Sequence, residues 1–248
     1  MLKRCLPLLV ALWVGSWLNA QETTVYTEAY AAFKRAEVFF ADGLFAKAQT
    51  EYRKTLDLLH PANHVEQRIL NTQAELGYAQ SAVRLEQPDA EKLILDFIRN
   101  NAPDPIANEA LIELANYYFD TRDYDKAAQY LARVPVNGLS KEDRSSVQFR
   151  LGYAQFVKKD FTRAKANFQA IKDLETQYFY AANYYLGLCH FYEGNYDLAV
   201  RQFRLVERSN KYDDYIPYYT TQIYFAQRRF DELIAYAEPR LNDPKLKN

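Results

Sequence analysis

Along most of the chain apolar residues recur three and four positions apart, the spacing that keeps one face of a helix apolar. Nowhere do they alternate as in a half-buried strand with hairpin turns. From Tyr196 onward, Ala199, Phe203 and Val206 fall at i, i+4 and i+7. The stretch before it, from Tyr180, carries Leu186 and Gly187 side by side, and Gly194-Asn195 separates the two. The pattern predicts two short helices folded back on each other. The same order returns in Leu151, Gly152, Phe161, Ala164, Phe168 and Ile171, and again in Leu114, Ala115, Tyr118, Tyr124, Ala127, Leu131 and Val134. Upstream it is matched by Ala36, Phe39, Gly43, Phe45, Ala48 and Tyr52, and downstream more loosely by Tyr224, Phe230, Leu233 and Ala237. A degenerate hairpin lies between the first and third copies, its second helix at about Asp89–Arg99 with Ala90, Leu93, Ile94 and Phe97 on one face.

Each recurring residue has a mechanical reading. Gly187 lets the two helices approach closely, and Ala199 is expected to face it across the gap. Tyr196 covers the open end, Phe203 and Val206 fill the space towards the next hairpin, and Gly194 takes the turn conformation that bulkier residues resist. This order resembles the tetratricopeptide repeat, a helix–turn–helix unit of ~34 residues. The resemblance covers nearly all of the chain after its first segment. It implies an all-α, right-handed α-solenoid of about six such repeats, over residues 27–238.

Connectors follow the same plan. Pro61 closes the first hairpin, and Asn63 with Glu66 three residues on suggests a capping box for the long helix that ends near Leu85. Asn100–Pro105 is a break, Ser140 with Asp143 caps the fourth hairpin, and Pro217 falls in the first turn of the sixth, where no helical amide bond is lost. Turns are expected at Asp42-Gly43, Arg122-Asp123, Lys159-Asp160 and Arg228-Arg229.

Residues 1–20 read as a secretory signal peptide: Lys3 and Arg4, an apolar run from Leu6, then small and polar residues up to a cut after Ala20. The stretch Leu6–Leu18 contains Pro7 and falls short of the ~20 residues of a bilayer span, so no stable span is expected after cleavage, while peripheral membrane association stays open. Residues 21–26 are expected as an extended lead-in, and residues 239–248 as a polar tail or the point where a longer chain is cut. The leader's ending and the repeat phrases resemble the start of Bacteroidetes envelope proteins built of such repeats. That implies the periplasm or the periplasmic face of the outer membrane. The mature chain would keep only Cys189, read as a small core residue, so no intrachain disulfide is expected.

With 31 basic and 32 acidic residues the formal net charge is −1, and no basic block supplies the footprint of a nucleic-acid binder. The 21 tyrosines and 15 phenylalanines are the unusual feature. Placed by the register at Gly187, the first helices turn one line of residues inward as a partner-binding groove. That line is Tyr30, Phe33 and Phe40; Ile112, Asn116 and Phe119; Phe149, Tyr153 and Phe156; Tyr184, Phe191 and Tyr192; and Tyr218, Gln222 and Phe225. Tyrosine offers contact area, a polar tip and little rotamer entropy to lose, although about half of these rings are expected to serve packing instead. The resemblance also brings to mind the carboxylate clamp of this fold. Its repeated lysine position is filled here by Phe33, Ile112, Phe149, Tyr184 and Tyr218, and only Asn116 fits, which argues against capture of a peptide's C-terminal carboxylate and for side-chain or helix recognition.

No catalytic, cofactor-binding or metal-binding set is expected. His60 and His64 are separated by Pro61 and lack further ligands, and no phosphate loop, nucleophile elbow or H-E-x-x-H occurs. Two function classes remain. One is a non-enzymatic scaffold holding an envelope protein or peptide in the aromatic groove. The alternative is a carbohydrate-binding or catalytic accessory module using the same rings, although paired carboxylates at a pocket, which catalysis would want, cannot be placed on that line. The scaffold is the expectation.

Overall fold

A computed structural model describes residues 6–207, 209, 211–212 and 214–241, with side chains from residue 24 onward. Expectations for Met1–Cys5, for the side chains of the leader and for residues 242–248 lie outside it. The described residues form twelve α-helices and no strand: α1 (Leu6–Ala41), α2 (Phe45–Leu58), α3 (Val65–Arg84), α4 (Ala90–Asn101), α5 (Pro105–Asp120), α6 (Tyr124–Leu131), α7 (Lys141–Val157), α8 (Phe161–Ile171), α9 (Phe179–Tyr192), α10 (Tyr196–Val206), α11 (Ile216–Ala226) and α12 (Phe230–Ala237), with a 3-10 turn at Glu238–Arg240. They pair in order as six antiparallel hairpins, the expected all-α solenoid plan. The stretch 21–26, expected extended, continues α1 instead. None of the described helices is long and apolar enough to cross a membrane.

The hairpins close on one local device. The second residue after the first helix takes the left-handed conformation in every hairpin: Gly43 (φ 74°), Glu86 (53°), Arg122 (65°), Lys159 (61°), Gly194 (77°) and Arg228 (58°). The next amide then reaches back five residues in a Schellman turn: Leu44 to Phe39 O (2.8 Å), Gln87 to Ala82 O (3.1 Å), Asp160 to Gln155 O (2.9 Å), Asn195 to His190 O (2.8 Å) and Arg229 to Tyr224 O (2.8 Å). Glycine occupies the strained position only twice, so the bulk that was expected to resist this turn is tolerated there. Asp123 and Asp160 go on to cap the second helix, accepting from the amides of Lys126 (3.1 Å) and Arg163 (3.2 Å). Ser140 caps α7 through the Asp143 amide (3.1 Å) as expected. The cap of α3 is shifted by one residue: His64 is the N-cap and Gln67, not Glu66, accepts from the amides of Asn63 (2.9 Å) and His64 (3.2 Å). Three residues past His64 rather than Asn63, Gln67 stands where its carbonyl meets both free amides.

The chain divides into two compact units, residues 1–114 and 115–248, the division falling within α5. In the first, Ala29, Phe33, Ala36, Ala48, Tyr52, Leu59, Leu70 and Ala74 form the core between α1, α2 and α3. The other side of α1 shows solvent Ala31, Lys34, Arg35 and Val38, with Lys34 paired to Glu37 (2.7 Å) and Arg35 to Glu51 (2.8 Å). In the second unit one cluster joins α8 to α9 through Ala164, Phe168, Ile171, Ala182, Leu186 and Cys189. Another joins α9 and α10 to α11 through Leu188, Ala199, Val200, Phe203, Val206, Ile216 and Ile223. Each fully buried Phe contributes ~1.5–3 kcal/mol.

The close approach at glycine is real, but its partner differs from expectation. A Cβ on Gly187 would lie 2.6 Å from Cε1 of Phe203 and 3.3 Å from Cβ of Gln202, not against Ala199. Gly152 meets the Phe168 ring in the same way. The ring four residues past the small Ala lies across the glycine, because four residues is one helical turn and returns the side chain to the same face.

Candidate functional site

Counting back from the left-handed turn residue brings out a feature shared by most hairpins. Three residues before the turn stands a Phe, and five residues after that Phe stands another ring. These pairs clasp the turn: Phe40–Phe45 (centroids 5.2 Å apart), Phe119–Tyr124 (5.6 Å), Phe156–Phe161 (5.6 Å), Phe191–Tyr196 (6.1 Å) and Phe225–Phe230 (6.1 Å). Tyr196 thus closes the open end of its hairpin as expected.

Within the second unit the clasps at Phe119, Phe156 and Phe191 are each covered by the first helix of the hairpin that follows. The Arg150 guanidinium lies 4.7 Å from the centre of the Phe119 ring and 2.9 Å from Asp120. Tyr185 packs edge-on against Phe156 (5.2 Å) and Tyr219 against Phe191 (5.1 Å). Arg150, Tyr185 and Tyr219 all stand nine residues before their own turn. Around them the rings become continuous: Tyr153 touches Phe119 (5.6 Å), Tyr124 (5.7 Å) and Tyr185 (5.1 Å), and Tyr185 also meets Phe149 (5.9 Å) and Phe168 (5.8 Å). Tyr192 belongs to this network, stacked on Phe161 at 5.2 Å, and is 53% exposed.

The candidate groove residues are found in three different states of burial. Phe33 and Tyr184 are buried, Phe33 against Tyr52 (5.8 Å) and Tyr184 stacked on Tyr212 (4.4 Å). Phe40, Ile112, Asn116, Phe119, Phe149, Tyr153, Phe156 and Phe191 are half-buried. Tyr30, Tyr192, Tyr218, Gln222 and Phe225 are exposed. The structure joins Phe119, Phe149, Tyr153, Phe156 and Tyr192 in one ring network. Sequence reasoning missed the centre of that network, Tyr185; the signal was its register with Arg150 and Tyr219 in the neighbouring repeats.

The electrostatics suit packing rather than ionisation. Burial pushes the Tyr184 and Tyr185 phenols well above their ordinary value, and neighbouring tyrosines add to the shift. Cys189 is buried and its thiol is pushed up to about 12, first by burial and then by Glu193, which leaves no thiolate at neutral pH. His190, buried beside it, is held below its ordinary range by burial and by Lys165, against the opposing pull of Glu193. Among the described residues no group of three or more His, Cys, Asp or Glu could hold a metal ion.

Residues 76–143 and 149–214 match the family profile described as tetratricopeptide repeat. No curated protein sequence matches the chain. Several solved structures do. The C-terminal part of a TPR repeat-containing protein from Cytophaga hutchinsonii is 14% identical with a TM-score of 0.67, over 93% of this chain and 91% of its own. A tetratricopeptide repeat protein from Parabacteroides merdae is 15% identical with a TM-score of 0.56, over 86% and 78%. Pseudomonas aeruginosa pilF is 15% identical with a TM-score of 0.56, over 90% and 97%. At these identities the likeness is one of fold.

Proposed function

The chain belongs to the tetratricopeptide repeat family, whose repeats are in general protein-interaction scaffolds without catalysis, and from that premise we propose that it is a scaffold of the cell envelope holding a partner protein or peptide on its aromatic seam. The leader-like first segment supports the envelope setting. The observation that carries the binding surface is Tyr192: a large ring left 53% exposed, yet held in place by stacking on Phe161. A ring already fixed loses little rotamer freedom on contact and brings both apolar area and a hydroxyl, the properties of an interface anchor. Phe156, half-buried with its ring centre 6.2 Å from that of Tyr192, extends the surface.

The test is retention of envelope proteins on the immobilised full chain, run in parallel with Tyr192→Ala. A protein held by the native chain and lost from the variant, with thermal unfolding nearly unchanged, is the expected result. Retention on glycan columns with no protein partner would overturn the scaffold in favour of sugar stacking. Equal retention by both chains would remove Tyr192 from the interface.

A further inference from the structure

Several tyrosines of the second unit bring their tips together. Tyr185 stands against Tyr153 (5.1 Å) and Phe156 (5.2 Å) of the hairpin before it. The Tyr153 hydroxyl acts on those of Tyr124 and Tyr185, and the Tyr219 hydroxyl is in the same kind of contact with Tyr184 and Tyr192. Burial, and then this crowding, raise the phenols of Tyr124, Tyr185 and Tyr219 above their ordinary value, so they stay neutral O–H donors well past neutral pH. Among these tips lie the flat rings of Phe119, Phe156 and Phe161, and the Arg150 guanidinium over Phe119 is already neutralised by Asp120 at 2.9 Å. Ring faces and hydroxyl donors are what this surface offers.

Each way in which a folded surface takes up a peptide makes its own demand. Strand addition needs a sheet edge, and the described residues contain no strand. Capture of a C-terminal carboxylate needs cations where Phe149, Tyr184 and Tyr218 stand. An acidic motif needs free guanidinium groups, and Arg150 is spent on Asp120. A helix laid on the rings would cover the phenol tips while its own carbonyls are used within the helix, leaving O–H groups without partners. A polyproline II segment has the opposite properties: its carbonyls are all free, and its prolines bring no N–H to bury. Charged side chains on such a segment would lose their water here with nothing to meet. The dimensions agree as well. α7 and α9 pack directly through Tyr153 and Tyr185, and packed helices stand ~8–10 Å apart. Three residues of polyproline II rise ~9.3 Å, so every third residue meets the same level of the next hairpin. We propose that the ring surface of Tyr153, Phe156, Tyr185 and Tyr192 holds an uncharged, proline-rich segment of the partner in the polyproline II conformation, with phenol O–H groups donating to its carbonyls. The inference rests on the scaffold reading and names the chemistry of what the scaffold holds.

The test uses the full chain and a labelled oligoproline peptide, followed by fluorescence anisotropy, with a Gly-Ser peptide and an amphipathic helical peptide of equal length as rivals. Saturable binding is expected of oligoproline alone, weakened ~tenfold or more in Tyr192→Ala. Tyr192→Phe keeps the ring and removes only the donor, and should weaken binding by about two- to tenfold. Tyr192 is exposed, so both variants should keep the native circular dichroism and unfolding midpoint. Absent oligoproline binding, equal binding of the Gly-Ser peptide, tighter binding of the helical peptide, or affinity that either Tyr192 variant leaves unchanged would each overturn the proposal. The two readings fail separately. An envelope protein lost from Tyr192→Ala, with no oligoproline binding to the native chain, would keep the scaffold and remove the proline-rich segment from it.

Discussion

The glycine contacts offer a graded test of how tightly the hairpins are packed. A Cβ added at Gly187 would stand 2.6 Å from Cε1 and 2.8 Å from Cδ1 of Phe203, where carbon atoms settle at about 3.5–4.0 Å. Phe203 cannot easily yield: it is 1% exposed, with Tyr219 stacked on it at 5.8 Å and Tyr184 at 6.3 Å. Overpacking of this kind costs ~1–3 kcal/mol. Against it, alanine gains about 1 kcal/mol over glycine in a helix interior, so Gly187→Ala should lose roughly 0–2 kcal/mol. Gly187→Leu, with three more carbons to place, should lose ~3 kcal/mol. At Gly152 the nearest Phe168 atoms would stand at 2.9 and 3.1 Å, and the propensity gain should nearly cancel the clash. At Gly77 a Cβ would meet the Tyr52 ring at both Cε atoms, each 2.6 Å away, and closer still at Cζ. The expected order of destabilisation is therefore Gly77→Ala, then Gly187→Ala, then Gly152→Ala. Urea unfolding followed by circular dichroism reads it, compared as midpoints because repeat arrays can unfold in stages. Equal midpoints, or Gly152→Ala the most damaged, would refute the argument that ring contact sets the cost. A Gly187→Ala, Phe203→Leu pair should be less damaging than the sum of its parts, since the smaller side chain vacates the contact.

Other outcomes follow from the same geometry. Lys159→Gly should raise stability by ~0.5–1 kcal/mol, because the left-handed conformation costs a side-chain-bearing residue ~1–2 kcal/mol and glycine's extra unfolded freedom returns only part of that; chemical denaturation measures it. Tyr185→Ala should cost ~3–5 kcal/mol by emptying the centre of the ring network, whereas Tyr192→Ala should barely move the thermal midpoint. Stability should fall in alkali. Burial, with help from Glu37, raises the Tyr52 phenol from 10.0 to about 12, so its contribution is whole below pH 10 and is lost as pH climbs to about 12, ~2–3 kcal/mol from this residue. Tyrosinate absorbance and circular dichroism should change together. On the acid side, His190 is held below 6.5, chiefly by burial, so the stability tied to its neutral form should begin to drain as pH falls beneath that value; a His190→Gln chain would show a flatter acid limb.

The hairpins were legible in the chain because small and aromatic residues return at a nearly constant interval, and few other architectures require that. Gly43 and Gly194 announced their turns, and Ser140 its cap. Arg122, Lys159 and Arg228 were placed at turns by spacing, but their left-handed conformation left no trace in residue type; at Lys159 and Arg228 the Schellman hydrogen bond holds it regardless of the side chain. The candidate surface was legible as a register and not as a state. Phe33, Phe119 and Phe225 belong to one recurring line, and only the presence of a neighbouring helix decides which is buried, half-covered or open. Tyr185 and Tyr184 are adjacent tyrosines in the sequence, and what distinguishes them is which hairpin each faces.

The charged outer side of the first hairpin has a bearing on assembly. A subunit with an adhesive face at one end and a complementary one at the other would join end to end without limit, since a head-to-tail contact does not close on itself. Lys34 and Arg35 would each have to shed water and break an ion pair, with Glu37 and Glu51, to meet a ring-lined surface. An apolar surface brought against that side of α1 would therefore meet two hydrated cations rather than a row of side chains ready to be buried.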